Sequence, residues 1–416
     1  MSLTIASTRR APPSRKARCA SWCLAVFTVI AAGCGDRDRR NAGATTDATP
    51  PPAASAPSPW TMGPGSADRY VLPAGCTSRD PPLVAVVDGS LRLSALAGRT
   101  DAAIVQAASA TPGDSASATG IMLMRHGTTA IARTLRTHAR ATPRVSAFGP
   151  TSWWVASANA HGASTVWGPH NEAAPAGRVV DGKRAPVDLR CGPERRCALL
   201  TSDDDEDNAA LWLRLAPTRP DDVSSPWISH PLPRGRGLRI LSMSPLAVAT
   251  ADDLRVYVTQ VPEPGGTGYV AATLATPDRV LDVATGPAAV TAITDLDPRG
   301  CSPEAGGVRL VTPEATRRLR SPTGARRARL VALSSDAWLA VWLAPRRCGS
   351  RLTHEVHAAV VHRHRGLAAP PSVVGRADDF ALAAEGDDDL GLWMWTADRN
   401  ERTTVAYLRV QCAVGP

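Results

Sequence analysis

One stretch of the chain, residues 197–216, has the clearest pattern of apolar and polar positions. An apolar run, Ala198–Thr201, precedes the acidic segment Asp203–Asp207, and leucines then stand at alternate positions 211, 213 and 215. Period-two alternation beside a short polar segment is typical of a β-hairpin. The stretch therefore predicts two antiparallel strands joined by an exposed acidic turn.

Similar pairs, in which a strand of small apolar residues precedes a strand with aromatic residues, recur along the chain. They begin at residues 104, 153, 198, 246, 283, 331 and 380, at intervals of 49, 45, 48, 37, 48 and 49 residues. Intervals of about 40–50 residues are typical of four-stranded propeller blades. We predict an all-β fold over residues 70–416, a β-propeller of seven four-stranded blades closed by an N-terminal strand that joins the last blade. Two β-sandwiches are the alternative, which the regular repeat disfavours.

The repeat also predicts where its small and large residues lie. The small residues that begin each pair are expected in the crowded strands beside the central channel. Large side chains are expected to fill the space between blades, namely Trp212, Trp342, Trp393 and Trp395.

Residues 1–33 precede this domain and have the composition of a targeting segment. A basic stretch ends at Arg18, and the apolar run that follows it is too short to span a bilayer comfortably, as in a signal peptide. The run ends in Ile30-Ala31-Ala32-Gly33-Cys34, which resembles the lipobox of bacterial lipoproteins. A plain secretory signal or an uncleaved anchor are the alternatives.

The lipobox resemblance has consequences for Cys34. It implies that Cys34 carries acyl chains such as palmitate and becomes the mature N-terminus. Gly35 follows, where Asp would be the inner-membrane retention signal, so the resemblance implies sorting to the outer membrane. The departure from the family is Ala31, which stands where a large aliphatic residue is usual.

The segment that follows, residues 34–69, is rich in Pro, Ala, Ser, Gly and Thr. It holds too little apolar surface to offset its ordering entropy, so we predict a disordered tether. The targeting segment has five basic residues and no acidic one, and its removal lowers the formal charge from +9 to +4. A chain this close to balance lacks the basic face of nucleic-acid binders, so no nucleic-acid partner is expected.

Six cysteines remain besides Cys34, in a chain expected in an oxidising compartment where disulfides persist. The propeller hypothesis selects one of the fifteen pairings that six cysteines allow. The predicted pairs are Cys191–Cys197 across a short loop, Cys301–Cys348 between neighbouring blades and Cys76–Cys412 across the closure. The second pair is supported by the recurrence of Pro298-Arg299-Gly300-Cys301 as Pro345-Arg346-Arg347-Cys348. Free buried thiols are the alternative.

One segment resembles a catalytic signature. Met122–Thr128, with the sequence MLMRHGT, is similar to the Arg-His-Gly motif of histidine phosphatases. The resemblance implies a nucleophilic His126 beside a phosphate-binding Arg125, with His161 as a possible second histidine. It covers about seven residues, and the αβ alternation of that family is absent. The end of a strand followed by a turn is the preferred interpretation.

Two other groups of side chains could bind metal. His354, His362 and His364, with His357 nearby, would share one face of an unbroken strand, where imidazoles can bind zinc or copper. Acidic turns at Asp203–Asp207, Asp252–Asp253 and Asp387–Asp389 could chelate calcium, although the spacing from Asp203 does not fit an EF-hand. A solvated outer strand and exposed turns are the preferred interpretations, and no metal or cofactor is predicted.

Taken together, the sequence resembles the broad, mostly uncharacterised class of propeller lipoproteins. The resemblance implies a non-catalytic binding or scaffold module, which contacts the membrane through its lipid and a protein or glycan ligand through a propeller face. The alternative is a propeller enzyme of the glycosidase or lyase type, with carboxylates at the channel mouth.

Overall fold

The computed structural model describes residues 63–66, 69–88, 91–97, 102–107, 117–125, 129–137, 144–148, 152–158, 163–170, 178–192, 197–203, 208–214, 226–232, 235–262, 268–276, 278–285, 290–295, 307–319, 321, 324–334, 336–346, 354–385, 389–397 and 402–413. Within these ranges the regular elements are β-strands, numbered β1 to β31. None of these residues belongs to a helix with the length and hydropathy needed to cross a membrane.

The strands follow one another as antiparallel meanders. The N-terminal strands are β1 (Gly63–Pro64), β2 (Cys76–Ser78) and β3 (Leu83–Asp88). The next eight are β4 (Leu91–Ala97), β5 (Ala102–Ala107), β6 (Ser117–Arg125), β7 (Thr129–Thr137), β8 (Arg144–Phe148), β9 (Ser152–Ala158), β10 (Ser164–His170) and β11 (Arg178–Asp181). Then come β12 (Ala185–Cys191), β13 (Cys197–Asp203), β14 (Asn208–Arg214), β15 (Trp227–Pro231), β16 (Arg236–Met243), β17 (Leu246–Ala251), β18 (Arg255–Val261) and β19 (Tyr269–Ala275).

The C-terminal half continues in the same way. Its strands are β20 (Arg279–Thr285), β21 (Val290–Asp295), β22 (Val308–Val311), β23 (Thr316–Arg318), β24 (Arg327–Ser334), β25 (Ala337–Pro345), β26 (His354–His362), β27 (Gly366–Leu367), β28 (Ser372–Arg376), β29 (Asp379–Glu385), β30 (Asp389–Ala397) and β31 (Arg402–Cys412).

These strands form a ring of antiparallel sheets, which is a β-propeller. Five sheets are single blades, named here after their first strands: the β12, β16, β20, β24 and β29 blades. The strands from β4 to β11 form one eight-stranded sheet, in which two four-stranded meanders are joined by a short parallel pairing of β4 with β8. Counting these meanders as two blades would give the predicted seven, and that count stays a prediction.

The first strands of the meanders lie against one another in sequence around the ring. Strand β4 contacts β8, and the series continues through β12, β16, β20 and β24, while β29 contacts β4. These strands are named here the inner ring. A side chain that leaves one of them sideways meets the first strand of the next blade, which is the geometry of the site described below.

The ring closes where the two ends of the chain meet, as the sequence predicted. Strand β3 pairs antiparallel with β31 and so becomes an outer strand of the β29 blade. Strand β2 pairs with the end of β31, and a disulfide joins Cys76 to Cys412 at that point. The short strand β1 adds to the far side of β3, although it lies within the segment predicted as a tether. The boundaries of the tether stay a prediction.

The apolar core lies between successive blades. One cluster combines Trp338 and Trp342 of the β24 blade with Ile293 and Leu310 of the β20 blade, and all four side chains are buried. Burying such large side chains contributes about 1.5–3 kcal/mol each. Trp212 packs between the β12 blade and the preceding meander, beside Trp154 and Leu189. The prediction that Trp212 and Trp342 fill the space between blades is confirmed.

The phase of the predicted repeat is wrong in part. Four of the predicted starts, at 104, 153, 198 and 246, fall on the second strands of their meanders, while those at 283, 331 and 380 fall on first strands. Second strands begin at Ala102, Ser152, Cys197, Leu246, Val290, Ala337 and Asp389, at intervals of 44–52 residues. The change of strand explains the single short interval of 37 residues. The small residues of the four strands at 104, 153, 198 and 246 therefore do not lie in the inner ring.

A recurring polar contact ties the segment before a first strand to the second strand of the same blade. Thr201 Oγ1 donates to Asp181 Oδ2 at 2.7 Å, and Trp342 Nε1 donates to Ser321 Oγ at 3.1 Å. Asp181 also accepts hydrogen bonds from two backbone amides of its own turn and from an indole nitrogen. Burial opposes ionisation of Asp181, but these donors prevail and hold its pKa below the ordinary value.

Candidate functional site

Five strands of the inner ring carry a charged residue directly before a buried residue. The pairs are Asp188–Leu189, Arg239–Ile240, Asp282–Val283, Arg329–Leu330 and Asp379–Phe380. Acidic and basic residues thus alternate from blade to blade. Two more arginines, Arg190 and Arg327, lie two residues away on the same strands. These seven side chains are named here the inner-ring charges.

Local backbone irregularity accompanies this position on three of the strands. The pairing of first with second strand shifts register just before Asp188, Arg239 and Asp282. Such a bulge re-aims the following side chain relative to a regular ladder. The charged residues stand beside apolar positions of these strands, and their side chains meet polar groups of neighbouring blades.

Asp282 is the most enclosed of the inner-ring charges, with 1% of its surface exposed. Its Oδ2 accepts from the Leu330 amide at 2.8 Å and from Arg239 Nη1 at 3.2 Å, and its Oδ1 lies 3.4 Å from Arg329 Nη1. Arg239 also donates to the Leu330 carbonyl at 3.0 Å. One carboxylate therefore joins the β16, β20 and β24 blades.

Asp379 has one arginine partner in the part of the chain that the structure describes. Arg327 Nη1 donates to both of its carboxylate oxygens, at 2.9 and 2.8 Å, and the Phe380 amide donates to Oδ1 at 2.8 Å. Burial lowers the pKa of Arg327 although Asp379 opposes the shift. This pair links the β24 blade to the β29 blade.

Asp188 is held mainly by backbone amides. The amides of Leu189 and Ile240 donate to its two oxygens at 3.0 and 2.9 Å, so the β12 blade is joined to the β16 blade. Arg190 Nη1 donates to the Leu241 carbonyl at 3.1 Å, and its Nε lies 3.9 Å from Asp188 Oδ2. Each carboxylate of the inner-ring charges thus accepts at least two hydrogen bonds.

A carboxylate in this state is a poor general acid or base. Proton transfer needs a group that can reach a substrate. Here the carboxylate oxygens already accept hydrogen bonds from guanidinium groups and backbone amides. The arrangement can join blades and present guanidinium groups to an anion, but it shows no pair of carboxylates free for glycosidase-type chemistry.

Comparisons with known proteins identify no family for this chain. The chain matches no family model, and no curated protein is similar to it in sequence. A protein of unknown function from Dyadobacter fermentans is 10% identical, covering 82% of this chain and 100% of that chain, with a TM-score of 0.42. A chain of the Saccharomyces cerevisiae complex of Dbp5 with Nup159 and Gle1 is 10% identical, covering 84% and 96%, with a TM-score of 0.44. An uncharacterised Listeria monocytogenes protein is also 10% identical, covering 74% and 94%, with a TM-score of 0.40.

The predicted histidine cluster does not form a shared face. Strand β26 ends at His362, and His364 lies in the turn that follows, so the expectation of an unbroken strand through His364 is wrong. His354 Nε2 lies 2.9 Å from Arg326 Nη1, and His357 stacks on Trp342 with ring centroids 5.6 Å apart. Burial, reinforced at His354 by Arg326, lowers the pKa of both imidazoles. Among the described residues no group of three metal-ligating side chains converges.

The acidic turns have internal partners where their side chains are described. Asp252 accepts from the Leu254 and Arg255 amides at 2.9 and 2.7 Å and from Tyr257 Oη at 2.7 Å. Its carboxylate therefore caps its own turn. Asp389 is bound by Arg409 through three contacts of 2.5–3.1 Å. The side chains of Asp203–Asp207, Asp387 and Asp388 lie outside the described residues.

The remaining predicted residues lie partly within and partly outside the described residues. Arg125 is the last residue of β6 and pairs with Thr129 of β7. His126, Gly127 and His161 lie outside the described residues. A second disulfide joins Cys191 to Cys197, as predicted. Cys34, Cys301 and Cys348 lie outside the described residues.

Sequence reasoning missed the inner-ring charges. A signal was available, because Asp188, Arg239, Asp282, Arg329 and Asp379 recur at intervals of 43–51 residues, each before a large apolar residue. The runs of acidic residues in the turns are more conspicuous in the sequence than single charges inside apolar strands.

Proposed function

We propose that this protein is an exported bacterial lipoprotein, in the outer membrane or periplasm, whose β-propeller is a non-catalytic binding or scaffold module. The proposal includes seven blades and a protein or glycan ligand on one propeller face. The observation that carries the non-catalytic role is the state of Asp188, Asp282 and Asp379, whose oxygens are all engaged by hydrogen-bond donors. A catalytic carboxylate at this place would need free oxygens.

Stability of Asp282→Asn tests this role without knowledge of a substrate. Loss of the carboxylate leaves Arg239 and Arg329 without their buried counter-charge, which typically costs about 3–5 kcal/mol. We expect the free energy of unfolding, measured by urea denaturation, to fall by about that amount. Asp253→Asn, at an exposed carboxylate, is the control and should change it by less than about 0.5 kcal/mol. A catalytic carboxylate predicts the opposite, since removing strained active-site charge commonly stabilises a protein.

The envelope location is supported by the two disulfides, because such bonds persist in oxidising compartments. A third bond, Cys301–Cys348, is part of the proposal. In the sequence, Cys301 comes after the second strand of the β20 blade and Cys348 after the second strand of the β24 blade.

Mass spectrometry of the mature protein tests both the anchor and the third disulfide. We expect an N-terminal peptide that begins at an acylated Cys34, and a non-reduced peptide pair that contains Cys301 and Cys348. Cys34→Ala is the matched control and should abolish acylation while it leaves the disulfide map unchanged. An unmodified Cys34 within a longer N-terminal peptide would refute the lipoprotein assignment, and free thiols at Cys301 and Cys348 would refute the third bond.

A further inference from the structure

The inner-ring charges do not balance. Arg327 and Asp379 form a closed pair through the two short contacts described above. The others are three arginines and two aspartates, namely Arg190, Arg239, Arg329, Asp188 and Asp282. One guanidinium charge therefore remains without a carboxylate of its own among the inner-ring charges.

The three arginines lie close together. Arg239 and Arg329 both contact Asp282, so their guanidinium groups flank one carboxylate. Arg190 reaches the same region, because its Nη1 donates to the carbonyl of Leu241, two residues from Arg239 on β16. Burial first, and then the charge of Arg239, lower the pKa of Arg190 to about 10. Asp188 opposes this shift but does not cancel it. The surplus positive charge thus lies between the β12, β16 and β24 blades.

Several donors of these arginines are unused. Arg190 Nε is buried and has no hydrogen-bond partner among the described residues. Arg239 and Arg329 make their hydrogen bonds to the described residues through Nη1 alone. Each guanidinium has five N–H donors in a fixed fork, so both retain donors for another acceptor.

The sequence of the two remaining first strands supplies no carboxylate. Strand β4 reads LRLSALA and strand β8 reads RVSAF, so they contain Arg92 and Arg144 and no acidic residue. The first strands of the eight-stranded sheet therefore cannot neutralise the surplus charge.

We propose that the inner ring binds a small oxyanion, a phosphate or a carboxylate group, between Arg190, Arg239 and Arg329. Such a group offers several acceptor oxygens to guanidinium forks, which recognise it by charge-assisted hydrogen bonds. The side chains of the three arginines are 26%, 19% and 24% exposed, so an ion from solvent can reach them. The inference rests on the proposed binding role and names the ligand chemistry of that module.

The first experiment is calorimetric titration of the full chain with inorganic phosphate and, separately, with acetate. The ionic strength is matched with chloride throughout. We expect one site per chain. Binding of phosphate but not acetate would indicate a tetrahedral anion as the ligand, and binding of acetate but not phosphate would indicate a carboxylate. In Arg190→Gln the affinity should fall about tenfold or more, since hydrogen bonds to a charged group are lost. Arg376→Gln, at an exposed arginine of β28, makes the same change of charge and should bind as the wild type does.

Thermal unfolding separates a binding role of Arg190 from a structural one. In chloride, Arg190→Gln should unfold at or above the wild-type midpoint, because surplus charge is removed. In phosphate or acetate, the wild-type midpoint should rise and that of the variant should not. If Arg190→Gln fails to fold, Arg190→Lys keeps the charge without the fork and should bind about tenfold more weakly.

Two results would overturn the inference. One is the absence of wild-type binding of either anion above the chloride background. The other is an equal loss of midpoint in Arg190→Gln in every buffer, which would show that Arg190 only stabilises the fold. Neither result affects the Asp282→Asn test, so failure of this inference is distinguishable from failure of the proposed function.

Discussion

Two aspartate–arginine pairs of this protein have similar contacts, but the pKa of the arginine shifts in opposite directions. Arg327 binds Asp379 in the inner ring, and Arg409 binds Asp389 near the disulfide that closes the ring. All four side chains are 22–28% exposed, and each arginine contacts both oxygens of its partner. Yet the pKa of Arg327 is lowered, first by burial, whereas the pKa of Arg409 is raised, first by its hydrogen bond to Asp389.

The difference lies in what surrounds each pair. Arg327 stands beside Arg329 on the same strand and is enclosed by neighbouring blades, so desolvation and like charge outweigh the attraction of Asp379. Arg409 has a second carboxylate nearby, Asp80, at 3.7 Å. A paired charge can therefore cost stability in the inner ring and add a little of it at the closure. We expect the closure to depend mainly on its covalent bond.

The largest expected effect follows from that covalent bond. Cys76 and Cys412 are 336 residues apart in sequence, while Cys191 and Cys197 are 6 apart. In the chain-entropy description, stabilisation by a disulfide grows with the loop it closes. We expect the Cys76→Ser/Cys412→Ser double variant to lose about 5 kcal/mol of unfolding free energy, and Cys191→Ser/Cys197→Ser about 2 kcal/mol, by urea denaturation. Equal losses would mean that local strain or packing, rather than ring closure, sets the effect.

The second prediction separates the two pairs directly. Arg327→Met leaves Asp379 without its cation among neighbouring blades, and we expect a loss of about 3 kcal/mol, most of which returns when Asp379→Leu is added. The matching change Arg409→Met should cost about 1 kcal/mol or less, as is usual for a partly solvated pair. Double-mutant cycles in urea give both values. A similar cost at the two sites would remove the distinction between inner ring and closure.

How far the sequence reveals this fold depends on which physical signal each part uses. Alternation of buried and exposed side chains is a pattern of neighbouring residues, so the hairpin at Cys197 and the blade spacing could be predicted. The closure could be predicted because Cys76 precedes the first predicted strand and Cys412 lies in the last one. The phase of the repeat was harder, because the first strand at Val283 is as small and apolar as the second strand at Ala198. Period-two patterns do not state which strand of a blade is innermost.

The candidate site could not be predicted from local sequence patterns, for a different reason. Asp282 is recognisable as a site residue only through its contacts with Arg239 on the preceding blade and Arg329 on the following one. These arginines are 43 and 47 residues away in the sequence. Their alignment depends on the register of three separate sheets, including a bulge before Asp282. By contrast, the runs of acidic residues in the turns are obvious in the sequence. In the described turn at Asp252 the carboxylate satisfies its own backbone.

The smallest effect concerns the pH dependence of the closure. The hydrogen bonds from Arg409 hold the pKa of Asp389 below its ordinary value of 3.8, although burial opposes them. The folded protein then binds this proton less readily than the unfolded chain does, so the contribution to stability is present above pH 3.8 and is lost as the pH falls through the lower, folded value. We expect Asp389→Asn to be less stable than wild type by up to about 1 kcal/mol at neutral pH, and the difference to vanish in acid.

Urea midpoints measured from neutral pH to about pH 2 give the profile, since the folded pKa lies below the ordinary one. In an Arg409→Gln background the same substitution should show little pH dependence, and an unchanged profile there would mean that a donor other than Arg409 holds the carboxylate.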